Sequence, residues 1–367
     1  MLFVKTEELK EGMRLAKPIF NKKGVLLYDT DSKLTKQGID SVKNFGLLGI
    51  YILEPAEPCP PWTEEDREFE RFQTVSVFTI EEELLSMVNQ KRTKSLNIFV
   101  DKIISMYGRL DHKINFAQNL RSKEDYIYKH SLNVAIICAM LCYKLAFRNE
   151  VQFECVMSAI CHEVGKLEMP QEIVDNAKDR AELNGLFAKY EQAGVKVIES
   201  SIVSRPTVKR NVQQAQIVRD AVEHLKPIGH MKIINGARVL AVADTFDTLT
   251  GMSLKGEEPL TSVGALKYLI KHNDKYDPAV VDALVECINF LPEGCSVELT
   301  NGEKGLIITA NEMDIFRPVV LSYNDNRLID LRSSGIIDNL KVEDTIKKFD
   351  ERHIVDPDTI AAAKAGL

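Results

Sequence analysis

The chain has 367 residues, which is enough for two or three domains and for one sizeable hydrophobic core. Its 45% hydrophobic and 28% charged residues are those of an ordinary soluble globular protein. The net charge of -7 and the isoelectric point near 5.7 argue against general binding to phosphate backbones, so we expect no nucleic acid among the partners.

Cysteine usage and hydropathy indicate a cytoplasmic protein. The seven cysteines include no Cys-x-x-Cys pair, which is typical of reduced thiols rather than of a disulfide framework. The N-terminus lacks the apolar core of a signal peptide, because Lys5, Glu7 and Glu8 interrupt it. The longest apolar run, residues 134–143, is too short to cross a bilayer, so we expect no membrane span.

The first two segments of the chain are predicted to be a small domain and a helical connection. Residues 1–54 read as a small α+β module, with a helix from about Thr35 to Asn44 and a strand at 49–53. Residues 55–121 read as a proline-rich linker followed by polar helices. These helices could connect modules, mediate a homodimer or pack on the rest of the chain, and all three alternatives fit the sequence.

The remaining chain is predicted to contain the main core and a β-rich appendage. Residues 122–290 carry apolar residues at helical spacing, including a helix over 153–164 that Gly165 ends. Residues 291–367 switch to turn signals between short strands, and the stretch from Lys341 is expected to be helical or frayed. The predicted strands are 296–299, 306–309 and 318–323. The predicted fold class is mainly α, a helical bundle between a small α+β N-terminal module and a small β-rich C-terminal module.

His162, Glu163 and Lys166 are the first candidates for chemistry. A histidine beside a carboxylate can supply two metal ligands, and a nearby lysine can stabilise charge on a phosphate or activate a water. The alternative is a polar helix terminus whose side chains pair with solvent or with each other, which a lone pair of this kind favours.

Asp244 ends an almost uniformly apolar helical stretch, so it is expected to be buried and to need a partner. A metal or a histidine is the natural partner. His130, near the start of its own predicted helix, is open to the same two interpretations. Asp247, one turn after Asp244, is better explained as a backbone contact or a helix cap.

These residues come in the order and sequence context of a known family. The segment from about 120 to 290 resembles the HD-GYP domain, a branch of the HD metal-dependent phosphohydrolases. His130 to Ala135 matches its first histidine motif, and Cys161 to Pro170 resembles H-D-x-G-K-x-x-x-P. Ala243 to Thr250 resembles A-D-x-x-D-A-L-T, and Tyr276-Asp277-Pro278 resembles F-D-P. The resemblance implies an HD-type helical bundle. Members of the HD-GYP family usually hydrolyse cyclic di-GMP with two or three metal ions, often iron.

The chain departs from the family pattern in four places. Glu163 stands where the family has aspartate, and Tyr190 takes the place of another histidine ligand. The paired histidines are reduced to His224, and the Gly-Tyr-Pro loop is absent between His224 and Arg238. The sequence therefore predicts a degenerate HD-GYP domain.

The retained residues still suffice for one metal ion, because three or four protein ligands make a mononuclear site. Lys166 is the candidate catalytic residue, and the cofactor is expected to be one divalent metal or iron (Fe, Mn or Zn). The candidate metal ligands are His130, His162, Glu163, Asp244 and His224.

Two functional hypotheses follow, and a third stays open. The first is a module of cyclic di-GMP signalling that binds a cyclic dinucleotide or protein partners without normal phosphodiesterase activity. The alternative is a metal-dependent phosphodiesterase that hydrolyses cyclic di-GMP or another phosphoester with a mono- or binuclear site. The third is a purely structural fold in which the polar remnants survive as buried hydrogen bonds.

Overall fold

The structure is a computed structural model that describes residues 2–21, 23–54, 62–224, 228, 232–332, 339–346 and 357–365. The proline-rich linker predicted at 55–61 lies outside the described residues, and so does most of 225–231, part of the stretch in which the sequence lacks the Gly-Tyr-Pro loop.

The N-terminal module is a small sheet with one helix, as predicted. Its outer sheet has the order β1-β5-β2 and is antiparallel, with Leu2 opposite Ile52, and β3 pairs with β4. The helix α1 begins after Thr35, whose side chain accepts a hydrogen bond from the Gly38 N–H. The elements are β1 (Leu2–Lys5), β2 (Arg14–Leu15), β3 (Ile19–Phe20), β4 (Leu26–Tyr28), α1 (Lys36–Asn44) and β5 (Gly49–Leu53).

Two helices that follow, α2 (Glu64–Gln90) and α3 (Leu96–Tyr107), pack on the central bundle. Ile80 and Ile103 are fully buried in the same apolar cluster as the core helices, whereas Met106 is 39% exposed. Of the alternatives that the sequence left open, the structure therefore has the helices packed on the bundle, and a homodimer stays a prediction.

The helical core is built around α4, in which every residue from His130 to Cys142 is buried. Such a helix is apolar all round because other helices cover all its sides, here α2, α3, α5, α9 and α11. The core helices are α4 (Tyr126–Lys144), α5 (Asn149–Cys161), α6 (Gln171–Asn176), α7 (Arg180–Ser201), α8 (Pro206–Glu223), α9 (Asn235–Thr250), α10 (Ser262–Lys271) and α11 (Pro278–Cys287).

The end of α5 corrects one sequence-based prediction. The helix ends at Cys161 rather than at 164, His162 follows as its C-cap, and a short 3-10 turn covers Val164–Glu168. The turn lays the backbone of Gly165 against α7, where an added Cβ would lie 2.1 Å from the Tyr190 carbonyl oxygen. Glycine is required here because two backbones meet with no room for a side chain.

The C-terminal sheet is antiparallel with the order β10-β6-β7-β8-β9, and one of its faces joins the main core through Val297, Ile307 and Val320. The stretch from Lys341 was expected to be helical or frayed, but it begins with the edge strand β10, which pairs with β6. The elements are β6 (Ser296–Leu299), β7 (Lys304–Thr309), β8 (Val319–Ser322), β9 (Leu328–Asp330), β10 (Val342–Thr345) and α12 (Pro357–Ala365). No helix in the described parts of the chain combines the length and apolar character needed to cross a bilayer.

Candidate metal centre

His130 on α4 and His162 at the C-cap of α5 each direct one ring nitrogen at the same point. The Nε2 atoms of His130 and His162 lie 3.1 Å apart in the core. His130 donates from Nδ1 to Asp247 at 2.6 Å, and His162 donates from Nδ1 to the Ala159 carbonyl at 2.7 Å. Because both Nδ1 atoms carry the proton, both Nε2 lone pairs face each other, an arrangement that needs a cation or a proton between them.

Glu163 and Asp244 bring carboxylates to the same spot. Asp244 Oδ1 lies 3.1 Å from His130 Nε2 and 3.6 Å from His162 Nε2, and Glu163 Oε1 lies 3.7 Å from His130 Nε2. One ligand atom from each of the four residues falls within 4.8 Å of all the others. Glu163 Oε2 is buried without a hydrogen-bond partner among the described residues. Two imidazoles and two carboxylates, one of which has an oxygen without a partner, suit Zn²⁺, Mn²⁺ or iron. The residues therefore fit the metal that the sequence implies.

The electrostatics of the cluster favour added positive charge. Burial by itself lowers the pKa of His130, but Glu163, Asp244 and Asp247 outweigh burial and raise it to about 9. Burial raises the pKa of Glu163, but Lys166 and the two histidines bring it down to about 2. Burial likewise opposes ionisation of Asp244, and Arg219 still holds its pKa well below the usual range. The carboxylates are therefore ionised, and a metal ion would take the place of the proton on His130.

Asp247 orients the cluster and is not the helix cap that the sequence suggested. It is fully buried on α9, and besides His130 it accepts hydrogen bonds from Arg121 at 2.6 Å and from Asn133 at 2.8 Å. Gln118 donates a further hydrogen bond at 2.9 Å. A carboxylate behind a ligating histidine fixes its tautomer and ring orientation. The Asp-x-x-Asp spacing of Asp244 and Asp247 was the available signal, since both side chains lie on one face of a helix.

Arg219 is a second functional residue that the sequence analysis did not identify. It lies on α8, and its Nη1 donates to Asp244 Oδ2 at 3.0 Å. Its Nη2 forms an ion pair with Glu191 on α7. The guanidinium therefore occupies the side of Asp244 that faces away from the histidines, at the rim of the cluster.

Lys166, the candidate catalytic residue of the sequence analysis, lies beside the cluster on the 3-10 turn. Its ammonium group forms an ion pair with Glu163 Oε1 and lies 4.2 Å from the centre of the Phe187 ring. Lys166 and Arg219 both line a cleft of about 70 Å³ that leads to His130 and Glu163. That volume holds a few water molecules but is far below the several hundred Å³ of ligand pockets.

His224 is not brought to the cluster, which corrects its assignment as a metal ligand. It is exposed at the C-cap of α8, and its Nδ1 bonds to the Asp220 carbonyl of its own helix at 3.1 Å. The helix ends there, whereas Arg219, more than one turn earlier, carries the side chain that reaches Asp244. Tyr190, in place of a family histidine, lies on α7, and none of its atoms belongs to the four-residue cluster.

Sequence comparisons match the part of the chain that carries the cluster. Residues 115–280, which contain all four clustered residues, match the sequence model of the family described as the HD domain. A cyclic di-GMP phosphodiesterase of Pseudomonas aeruginosa is 22% identical over 251 residues, which are 66% of this chain and 60% of that protein. A 3′3′-cGAMP-specific phosphodiesterase of Vibrio cholerae is 28% identical over 138 residues, 35% of this chain and 30% of that protein.

Among solved structures, an HDG"Y"P protein from Bdellovibrio bacteriovorus is similar with a TM-score of 0.46 and 15% sequence identity. The similarity covers 77% of this chain and 97% of that protein. The chain thus spans less than two thirds of the length of the curated relatives it matches. Its helical core is similar to the HD domain over residues 115–280.

Proposed function

We propose that this protein is a metal-binding module of cyclic dinucleotide signalling, and that it does not turn over cyclic di-GMP as a normal phosphodiesterase. One metal ion would be held by His130, His162, Glu163 and Asp244. When bound, such an ion acts as a Lewis acid and lowers the pKa of a bound water. The two curated relatives carry names of cyclic dinucleotide phosphodiesterases, which supports a ligand of this class.

The observation that carries the proposal is the pairing of both carboxylates with fixed cations. Glu163 is neutralised by Lys166, and Asp244 is neutralised by Arg219. Two-metal hydrolysis needs a second ion about 3.5–4 Å from the first, held by carboxylates that bridge or flank it. With a guanidinium already on the free side of Asp244, that carboxylate is not free to flank a second ion. The narrow cleft above it also leaves little space for a dinucleotide.

The second candidate is a single-metal phosphohydrolase. It is favoured by Lys166, which lines the cleft beside the four clustered residues and could contact a phosphate oxygen after leaving Glu163. Its substrate would be a phosphoester small enough to enter that cleft.

The test incubates the metal-loaded protein with cyclic di-GMP and follows both binding by calorimetry and linear dinucleotide or GMP by chromatography. We expect binding without product above the level of a matched His162→Ala, Asp244→Ala double variant. A steady release of product by the wild type that the double variant loses would contradict the proposal and establish the phosphohydrolase. A small phosphomonoester substrate, run in parallel, tests the second candidate separately.

A further inference from the structure

A second and much larger cleft lies between the N-terminal module and the HD domain. Its volume is about 720 Å³, inside the range of pockets that hold nucleotide-sized ligands. Phe3, Lys5 and the end of α1 form one wall, and the loops around Lys123 and Lys255 form the other. The metal cleft has about one tenth of this volume.

The charge of this interdomain cleft suits an anion. Four lysines line it against two glutamates, Glu7 and Glu124. The lysines are Lys5, Lys43, Lys123 and Lys255. Such an excess of ammonium groups in a concave site attracts phosphate groups, although the whole chain is acidic.

The two walls of the cleft hold their lysines differently. Lys123 pairs with Asp175 at 2.8 Å, and Lys255 donates to the Val174 carbonyl at 2.6 Å, so both lysines of this wall are already bonded to α6. Within the described parts of the chain, no carboxylate lies within ion-pair distance of Lys5 or Lys43. The N-terminal module therefore offers two ammonium groups that form no ion pair with a described carboxylate, in a cleft that Glu7 and Glu124 also line.

The same cleft presents apolar surface that could contact a base. Phe45 is 38% exposed at its edge, and Leu48 and Leu254 also line it. An exposed aromatic ring beside lysines is the combination on which nucleotide bases stack while their phosphates are neutralised.

We propose that the interdomain cleft, rather than the space over the metal, binds a phosphate-bearing ligand of dinucleotide size. This inference rests on the proposed function for the choice of a cyclic dinucleotide as that ligand. An occupant would contact both modules at once. Ser253 and Leu254 line both clefts, and the Leu48 N–H bonds to the Arg121 carbonyl at 2.9 Å. Because the Arg121 side chain holds Asp247, the ligand would lie next to the network that orients the metal centre.

The test measures the affinity of the full chain for cyclic di-GMP in a Lys5→Glu, Lys43→Glu double variant. The control, Lys10→Glu, Lys36→Glu, changes the charge of the same module equally at exposed positions outside the cleft. We expect the cleft variant to bind about tenfold more weakly or worse, because each charged contact to phosphate is lost and reversed. We expect the control variant, and wild-type protein stripped of metal with EDTA, to bind within about threefold of the wild type.

The outcomes separate this inference from the proposed function. The interdomain site would be overturned if EDTA abolished binding while Lys5→Glu, Lys43→Glu left it unchanged. The proposed function in cyclic dinucleotide binding would then still stand. If the wild type binds no cyclic di-GMP, the proposed function fails, and pyrophosphate becomes the probe for the cleft. If the wild type then binds pyrophosphate and the cleft variant does not, the cleft is a phosphate site. If the wild type binds no pyrophosphate, the inference of a phosphate site is overturned.

Discussion

Replacing Asp247 with asparagine should destabilise the protein by about 3–5 kcal/mol, the cost of leaving a buried charge without its partner. The partner is the guanidinium of Arg121, which is fully buried and makes its closest ion pair with Asp247 at 2.6 Å. The same substitution also removes the negative charge behind His130, so its ring loses the fixed orientation that metal binding needs. Urea unfolding at neutral pH measures the change in the free energy of unfolding.

A matched control is Asp274→Asn, which removes a carboxylate that is 65% exposed in its ion pair with Lys275. Exposed pairs of this kind contribute about 0–1 kcal/mol, so this variant should unfold close to the wild type. If Asp247→Asn lowers the free energy of unfolding by less than about 1 kcal/mol, the result would contradict the assignment of Asp247 as the buried centre of the network.

Replacing Gly165 with alanine should have the second large effect, because the new Cβ would meet backbone on two sides. It would lie 2.1 Å from the Tyr190 carbonyl oxygen and 2.6 Å from the Gly194 nitrogen, so α7 and the 3-10 turn would have to separate. Overpacking against backbone costs at least about 1–3 kcal/mol. The turn carries Lys166 directly after Gly165 and follows Glu163, so we also expect weaker metal binding.

The matched control lies on α7 itself. An alanine at Gly185 meets no atom within 4 Å, and it should stabilise the helix by about 0.5–1 kcal/mol. Thermal unfolding of both variants, with metal content measured in each, checks the prediction. If the Gly165→Ala variant melts at the wild-type temperature and retains its metal, the result contradicts the claim that α7 leaves no room for a side chain at this position.

Short motifs in the sequence were enough to single out four side chains that the fold brings together. His130, His162, Glu163 and Asp244 sit in local patterns whose order along the chain resembles that of a metal-binding family, and the fold gathers all four. The mainly helical fold with small β-containing modules was also predicted, because helical and alternating periodicities are local properties.

The remaining parts of the site depend on contacts between distant segments. Asp247 and Arg121 are 126 positions apart, and Arg219 and Asp244 are 25 apart, so neither pair forms a local pattern. His224 was chosen as a ligand because it resembles the remnant of the family's paired histidines, whereas the end of α8 leaves it exposed. α5 ends three residues before the predicted position, and the close approach of α7 to Gly165 beyond that end is a contact that periodicity alone does not reveal.

The most direct test of the central claim is the metal content of the protein purified without chelator. Elemental analysis should find about one Fe, Mn or Zn per chain in the wild type and none in the His162→Ala, Asp244→Ala variant, since two of the four clustered ligands are then gone. Circular dichroism of both proteins confirms that they remain folded. No metal in either folded protein would contradict the metal centre, and two or more ions per wild-type chain would contradict the assignment of Arg219 as a fixed cation at Asp244.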